Sequence, residues 1–370
     1  MSQMIQRAIT RKNARVEREG LGAGRLTLTP QDFGVEMQTE EELQATKQEV
    51  HEEVERLWGV SASAMEGTES ESESEAGGPA QAVQGLLASS PMQPVTFFTE
   101  RLKMKLGEVT SELAAGKARR DNWNVLVTGS SGVGKLTFAK LLARYLKASK
   151  ILPRDVVVKK NVSELQDEET KKLLLQGGCL VINIDSLLGG AFGGRDAIDP
   201  EQASAVKNVL SATTGKPVVC VLTGKWDTAS RLLQMDAQMD SGIVISLPRQ
   251  VNIADYSPEK VATIAEELAR VEKDCEFEDG LWEKLAHHIG ERYEDMGTAG
   301  NARLARKLVE NAERWREERV FSSAMKGIVL QTLIGGSQGG GAAASAEDAV
   351  VRCFIASDFN MDAKLVQERL

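Results

Sequence analysis

The chain has 370 residues, 42% hydrophobic, 27% charged and only 5% aromatic, so a core must be built from Leu, Val, Ile and Ala. Lys and Arg total 45 against 54 Asp and Glu, a net charge of −9, which argues against general binding to nucleic acid or to an anionic membrane. No apolar run approaches the ~18 residues of a membrane span; four cysteines without a CxxC pair, and three histidines, argue against a zinc site or disulfide framework and point to a reducing intracellular compartment, cytoplasm or organelle.

Residues 1–65 read as an N-terminal extension. Its first 16 residues carry Arg7, Arg11, Lys12 and Arg15 and no acid, which fits either a short organelle presequence or a basic tail. Residues 41–58 place Leu43, Val50, Val54 and Leu57 on one stripe of a helix that must pack on the main domain or on a partner. Residues 66–94 open with five glutamates, no base and a Gly-Gly-Pro end within 66–79, and so read as an acidic disordered linker.

From residue 95 the composition becomes globular. Residues 97–115 have a helical pattern, and Trp123–Thr128 reads as a short buried strand. That strand runs into Gly129-Ser130-Ser131-Gly132-Val133-Gly134-Lys135, then into the helical LTFAKLLARYLKAS. This is the GxxxxGK phosphate loop in its required setting: glycines turn backbone N–H groups toward phosphates, the helix N-terminus adds its dipole, and Lys135 neutralises β/γ oxygens. The next position, where Ser or Thr should hold Mg²⁺, is Leu136. Thr137 follows, but one residue along a helix turns its side chain by ~100°. Phosphate binding survives this change; metal-assisted hydrolysis is placed in doubt.

Val156–Val158, Cys179–Ile184, Val218–Leu222 and Ile243–Leu247 read as further strands, with helices near 166–176 and 201–212 between them. The alternation predicts a doubly wound parallel sheet over residues 95–254. After Asp255 no further strand is expected. Ser257-Pro258-Glu259 is a helix start; a second helix is predicted over 279–292 and a third from Gly300-Asn301-Ala302-Arg303, which makes 255–334 a helical lid. A Gly/Ala-rich linker, 335–346, and a closing segment, 347–370, expected to pack on the lid, complete the chain.

The phosphate loop with its strand and helix, Gly177-Gly178 before the apolar strand, Ala254-Asp255-Tyr256-Ser257-Pro258-Glu259, Gly300-Asn301-Ala302-Arg303 and Ile355-Ala356-Ser357-Asp358-Phe359 together resemble the CbbX/SpoVK-type branch of AAA+ proteins, which includes the red-type Rubisco activases. The resemblance covers about residues 95–360; the first 90 residues have no counterpart in it. It implies ATP or ADP bound between the two domains by Gly129, Ser130, Ser131, Gly132, Val133, Gly134, Lys135, Leu136, Thr137 and Arg303, the last matching the sensor-2 arginine. It also implies ring assembly, protein partners (an AAA+ paralogue or a larger complex) and remodelling of a protein client.

At the catalytic positions the sequence departs from the pattern. The Walker B Asp-Glu falls on Asn183-Ile184 or, with a two-residue insertion, on Asp185-Ser186; the glutamate is absent in both registers, and Asp185 with Thr137 are the remaining candidates for Mg²⁺. The segment before Gly177-Gly178 is a helical QDEETKKLLLQ with no glycine or aromatic for a pore loop. Residues 234–242, where an arginine finger is expected, hold no Arg or Lys. These losses together predict a pseudo-ATPase acting as a structural, scaffold or regulatory subunit; the alternative is an active remodeller, in a mixed ring with a paralogue that supplies the missing groups.

Overall fold

The computed structural model describes residues 39–59, 92–106, 123–187, 198–239, 250–334 and 353–359. The expected basic tail, most of the acidic linker, the strand at Ile243–Leu247, residues 107–115 and 240–242, and the Gly/Ala-rich linker lie outside them.

Helix α1 (Glu40–Trp58) begins in a capping box. Thr39 Oγ1 accepts the Glu42 N–H at 3.2 Å, and the Glu42 carboxylate accepts the Thr39 N–H at 2.8 Å, so two end donors are satisfied reciprocally. Its apolar stripe is buried at Leu43, Val50 and Val54. Met92 then pairs with Val251 as a bridge, and a short helix (Pro94–Thr96) continues as a π-helical turn (Phe97–Arg101).

The α/β unit follows as β1 (Val125–Thr128), α2 (Lys135–Ala148), β2 (Val157–Asn161), α3 (Glu168–Gln176), β3 (Gly178–Asn183), α4 (Pro200–Thr213), β4 (Val218–Gly224), α5 (Trp226–Met239) and β5 (Gln250–Asn252). The five strands make one sheet in the order β2-β3-β4-β1-β5, every neighbouring pair parallel. The fifth strand, Gln250–Asn252, was not anticipated from sequence: three residues with Gln and Asn carry no apolar run, and pairing with β1 on one side and the Met92 bridge on the other define them.

Strand residues alternate between two cores, as a period of two requires. Val125, Val127, Cys179, Val181, Val219, Val221 and Val251 face one side, against α2, α1 and Phe97–Phe98. Leu126, Leu180, Ile182, Cys220 and Leu222 face the other, against α4 and α5. The sheet is thus covered on both faces, which is why its strands read as near-continuous apolar runs. Cys179 and Cys220 sit on opposite faces of neighbouring strands as free thiols; burial pushes the Cys220 thiol up to about 12.

A helical lid follows: α6 (Pro258–Lys273), α7 (Leu281–Arg292), α8 (Met296–Ala299) and α9 (Ala302–Ile334). Ser257 caps α6 by accepting the Lys260 N–H at 3.3 Å, with Pro258 in the first turn. The expectation that strands end at Asp255 is corrected here. A two-stranded parallel sheet joins β6 (Glu276–Phe277) to β7 (Cys353–Phe354); two-residue strands are too short to show a period. Phe354 and Phe359 enter the lid core beside Phe277. The closing turn is fixed by buried Asp358, which accepts two hydrogen bonds from Arg319 of α9, each 3.0 Å, and the Ile355 N–H at 3.0 Å.

Two expectations follow from this packing. Phe354→Ala removes a fully buried ring from the lid core, and unfolding in urea is expected to show a loss of ~3–5 kcal/mol in the lid's stability. His51, on α1 against the Tyr145 ring, has its pKa held below the ordinary 6.5 first by burial and then by Lys103, against an opposing pull from Glu55. It therefore binds fewer protons folded than unfolded, so its contribution to stability falls as pH drops below about 6.5. His288 shifts the same way. The thermal midpoint is expected to fall between about pH 7 and pH 5.5, and His51→Phe to reduce that fall.

Candidate functional site

The order reverses at β1: the chain leaves it for the far edge of the sheet, returns through β3 and β4, and then crosses to β5 on its other side. In open α/β sheets, ligands bind beyond the carboxyl ends of the strands at such a point. The loop Gly129–Gly134 occupies that place, running from β1 into α2. Gly129, Gly132 and Gly134 all have positive φ, +147°, +84° and +95°, conformations that side chains with Cβ rarely adopt. Gly134 precedes α2 without any side-chain cap, so the first amides of that helix face the loop's hollow.

Lys135 is half-buried at the start of α2, and its Nζ donates to the Gly129 and Ser130 carbonyls, both at 2.6 Å. Burial lowers its pKa; Asp185 and Asp255 oppose the shift, while Arg303 and Lys225 reinforce it. Lys135 thus lies within the field of two carboxylates and two further cations.

The lid closes on the same loop. The carbonyl of Gly300 lies so near Gly132 that a Cβ there would stand 2.0 Å from it. Ala302 N–H donates to the Gly132 carbonyl at 3.3 Å. Asn301 is fully buried in the left-handed region, φ +51°, a conformation Asn tolerates better than most residues. Its Nδ2 donates to the Asp255 carboxylate at 2.8 Å, the Ser131 carbonyl at 3.2 Å and Ser130 Oγ at 3.4 Å. Its Oδ1 accepts the Tyr256 N–H at 2.8 Å. Ser130 Oγ is also hydrogen-bonded to Asp255. Arg303 Nη1 donates to Ser131 Oγ at 2.7 Å, which brings this lid arginine to the loop. The Val133 carbonyl accepts two further donors, Tyr256 O–H at 2.8 Å and Trp58 Nε1–H at 3.2 Å. Burial raises the Tyr256 pKa, so the hydroxyl stays a donor.

The strand ends place the other candidates. Ile184 is fully buried in the sheet core. Asn183 turns toward Asn161 of β2, its Nδ2 donating at 3.4 Å, and accepts the Asp185 N–H at 3.3 Å. Asp185 Oδ1 accepts the Lys225 N–H at 2.8 Å, and the preceding Gly224 carbonyl accepts the Gly129 N–H at 3.2 Å. Of the two registers, the second puts a carboxylate against the loop. Thr137 instead lines a recess on the lid side with Trp58 and Tyr256, and Leu136 is exposed. Among the described residues no group of three His, Cys, Asp or Glu is placed to hold a metal ion, and no helix is long and apolar enough to cross a membrane. Residues 234–239 of the expected finger segment end α5, and the pore-loop segment is α3, capped by Asp167.

With this geometry in view, residues 257–334 match the family described as the AAA lid domain. The chain is also 25% identical over 221 residues to the ESX-1 secretion system protein EccA1 of Mycobacterium leprae, a match covering 55% of this chain and 38% of that protein. It is 24% identical over 257 residues to the ESX-3 secretion system protein EccA3 of Mycolicibacterium smegmatis, covering 63% and 41%. The chain thus spans about two fifths of the length of these curated relatives. Among solved structures, one described as "Structural Basis for Katanin Self-Assembly" is 13% identical, covers 79% of this chain and 92% of that one, and superposes with a TM-score of 0.38.

Of the residues singled out in the sequence, the structure brings Lys135, Arg303 and Asp185 together at the loop. Asp255, Tyr256 and Asn301 stand out in the sequence only as parts of motifs, and Trp58 has no role there, because a helix stripe does not say which element its last turn meets. The seam between loop and lid is open to test. Gly132→Ala combines a forbidden φ with the clash at the Gly300 carbonyl; chemical denaturation is expected to show a loss of at least ~1–3 kcal/mol, and an unchanged midpoint would refute the close approach.

Proposed function

We propose that this chain is a nucleotide-binding protein of the AAA+ class, of the CbbX-like branch, a pseudo-ATPase that holds ATP or ADP on its phosphate loop without hydrolysing it. In this reading it acts as a structural, scaffold or regulatory subunit of a larger protein assembly in a reducing intracellular compartment. The observation that carries the reading is the convergence of Lys135 and the lid's Arg303 on one glycine loop at the switch point of the sheet.

The residues present fit the phosphates. Backbone N–H groups from Ser130 to Gly134 and the α2 N-terminus supply the cradle, Lys135 exchanges its two carbonyl partners for phosphate oxygens, and Arg303 leaves Ser131 for the terminal phosphate. They do not fit Mg²⁺ well. The position for a metal-binding hydroxyl is Leu136, Thr137 faces the recess, and Asp185 already accepts the Lys225 N–H. No hydrolytic step is therefore assigned. The curated relatives are by name secretion-system proteins, which supports a working context among protein partners; a ring with a paralogue is one form this takes.

A second reading, an active ATP-driven remodeller, draws support from the carboxylate of Asp185 beside the loop. Phosphate release from Mg-ATP, with Lys135→Ala as the blank, separates the two. The proposed function expects a rate equal to the blank and a nucleotide-dependent thermal shift that Lys135→Ala abolishes, since ligand bound only to the folded state stabilises it by RT ln(1 + [L]/Kd). A clear Lys135-dependent rate would establish the second reading, and no shift at millimolar nucleotide would overturn both.

A further inference from the structure

The chain passes from β5 into the lid along the phosphate loop. Ile253 N–H donates to the Thr128 carbonyl at 2.9 Å, and the Ile253 carbonyl lies so near Gly129 that a Cβ there would stand 2.5 Å from it. Asp255, two residues on, is therefore brought against the loop by the backbone itself. The residue is exposed, yet its side chain is tied down: Oδ1 accepts Asn301 Nδ2 at 2.8 Å and the Ser130 hydroxyl.

The bond to Ser130 acts on the loop. A carboxylate only accepts, and a hydroxyl has one proton to give, so the Ser130 proton is committed to Asp255. On the main-chain side of the same residue, the Ser130 carbonyl accepts Lys135 Nζ at 2.6 Å. One loop residue thus stands between the ammonium that draws phosphate in and a carboxylate that repels it. Burial lowers the Lys135 pKa, and Asp255, after Asp185, is one of the two carboxylates that counter the fall.

A second carboxylate stands beside the first. Asp295 caps α8, accepting the Gly297 and Thr298 N–H groups at 2.9 and 3.2 Å. Hydrogen bonds from the Thr298 hydroxyl and the Gly297 amide hold its pKa below the ordinary value, which keeps it charged. Around the point where a Cβ of Gly297 would stand, Asp255 Oδ2 lies at 2.9 Å, Asp295 Oδ1 at 3.1 Å and Ser130 Oγ at 3.2 Å. Neither carboxylate is ion-paired among the described residues. In this they differ from Glu267 and Glu272 of α6, which are matched with Arg56 and Arg306.

We propose that Asp255 sets the affinity of the phosphate loop from the lid side: its negative charge, with that of Asp295 beside it, opposes an incoming phosphate chain and holds binding below what the loop amides, Lys135 and Arg303 would give alone. This rests on the nucleotide reading above and adds to it a residue that works against binding. The opposition is Coulombic, so it acts on any phosphate chain, with or without a base, and it fades as salt screens it.

The test uses the full chain, with inorganic triphosphate and ATP as probes. Asp255→Asn keeps an oxygen for Ser130 and Asn301 and removes the charge. It is expected to tighten both probes by about threefold at low salt, a gain that shrinks as salt rises from about 0.05 to 0.5 M. Ser130→Ala removes the hydroxyl, leaves the carboxylate and is expected to bring no tightening. Asp295→Asn keeps a good helix cap and is expected to tighten both probes by about twofold at low salt; it decides the matter where Asp255→Asn folds poorly, and unchanged affinity there would overturn the inference. So would unchanged or weaker triphosphate binding in folded Asp255→Asn, a gain undiminished at high salt, or equal tightening in Ser130→Ala. In each of these cases binding that Lys135→Ala abolishes would leave the nucleotide reading standing. If the wild type and Asp255→Asn both bind neither probe, the nucleotide reading falls and this inference with it.

Discussion

The contact between Gly132 and the Gly300–Asn301 turn is the constraint on which the rest of the site depends. Two backbones approach within a distance that excludes a Cβ, and the approach is held by an Asn side chain that is fully buried and bonded on both its polar atoms. A buried amide left without partners would cost ~1–3 kcal/mol, so the hub forms only when Asp255, Tyr256 and Ser131 are all in place. Loop, lid entrance and lid turn are consequently one unit. The lid sits against the phosphate loop through specific polar bonds rather than through a broad apolar interface, the kind of seam that can rearrange when a ligand replaces some of those bonds.

The same seam accounts for the division of labour. Everything that would grip an anion is gathered along it: the glycine amides, Lys135 and Arg303. Asp185 stands beside the loop, accepting the Lys225 N–H, and Leu136 is exposed and carries no hydroxyl. Binding a phosphate chain needs geometry and charge, which the backbone and two cations supply. Splitting it needs a metal, a placed water and charge at the transition state.

Helix α1 adds a third party to the seam. Its last turn reaches the Val133 carbonyl together with Tyr256, and its ion pairs run to both units. Surface pairs of this kind contribute little each; the buried Val50 and Val54 hold the helix, and the polar contacts fix where its end points. Order in α1, in the loop and in the lid is therefore shared.

The sequence by itself determined the parallel sheet, because strands buried on both faces must read as unbroken apolar runs, and it determined the phosphate loop and the lid helices, because caps, prolines and glycine spacing are local signals. It did not reveal β5, a strand of three mostly polar residues, nor β6 and β7, which are too short to carry a period. Nor could it choose between Asn183 and Asp185, since a two-residue shift leaves a strand's faces unchanged. The tertiary structure supplied the three strands, through their pairing with β1 and with each other. Only there does Asn301, one polar residue among many, become the hub of a seam, and only there does Trp58, 71 positions before Gly129 in the chain, come to rest beside the loop. Local signals follow from the dihedral preferences of neighbouring residues, whereas a site assembled from three separate segments exists only once the cores of the sheet and the lid have closed.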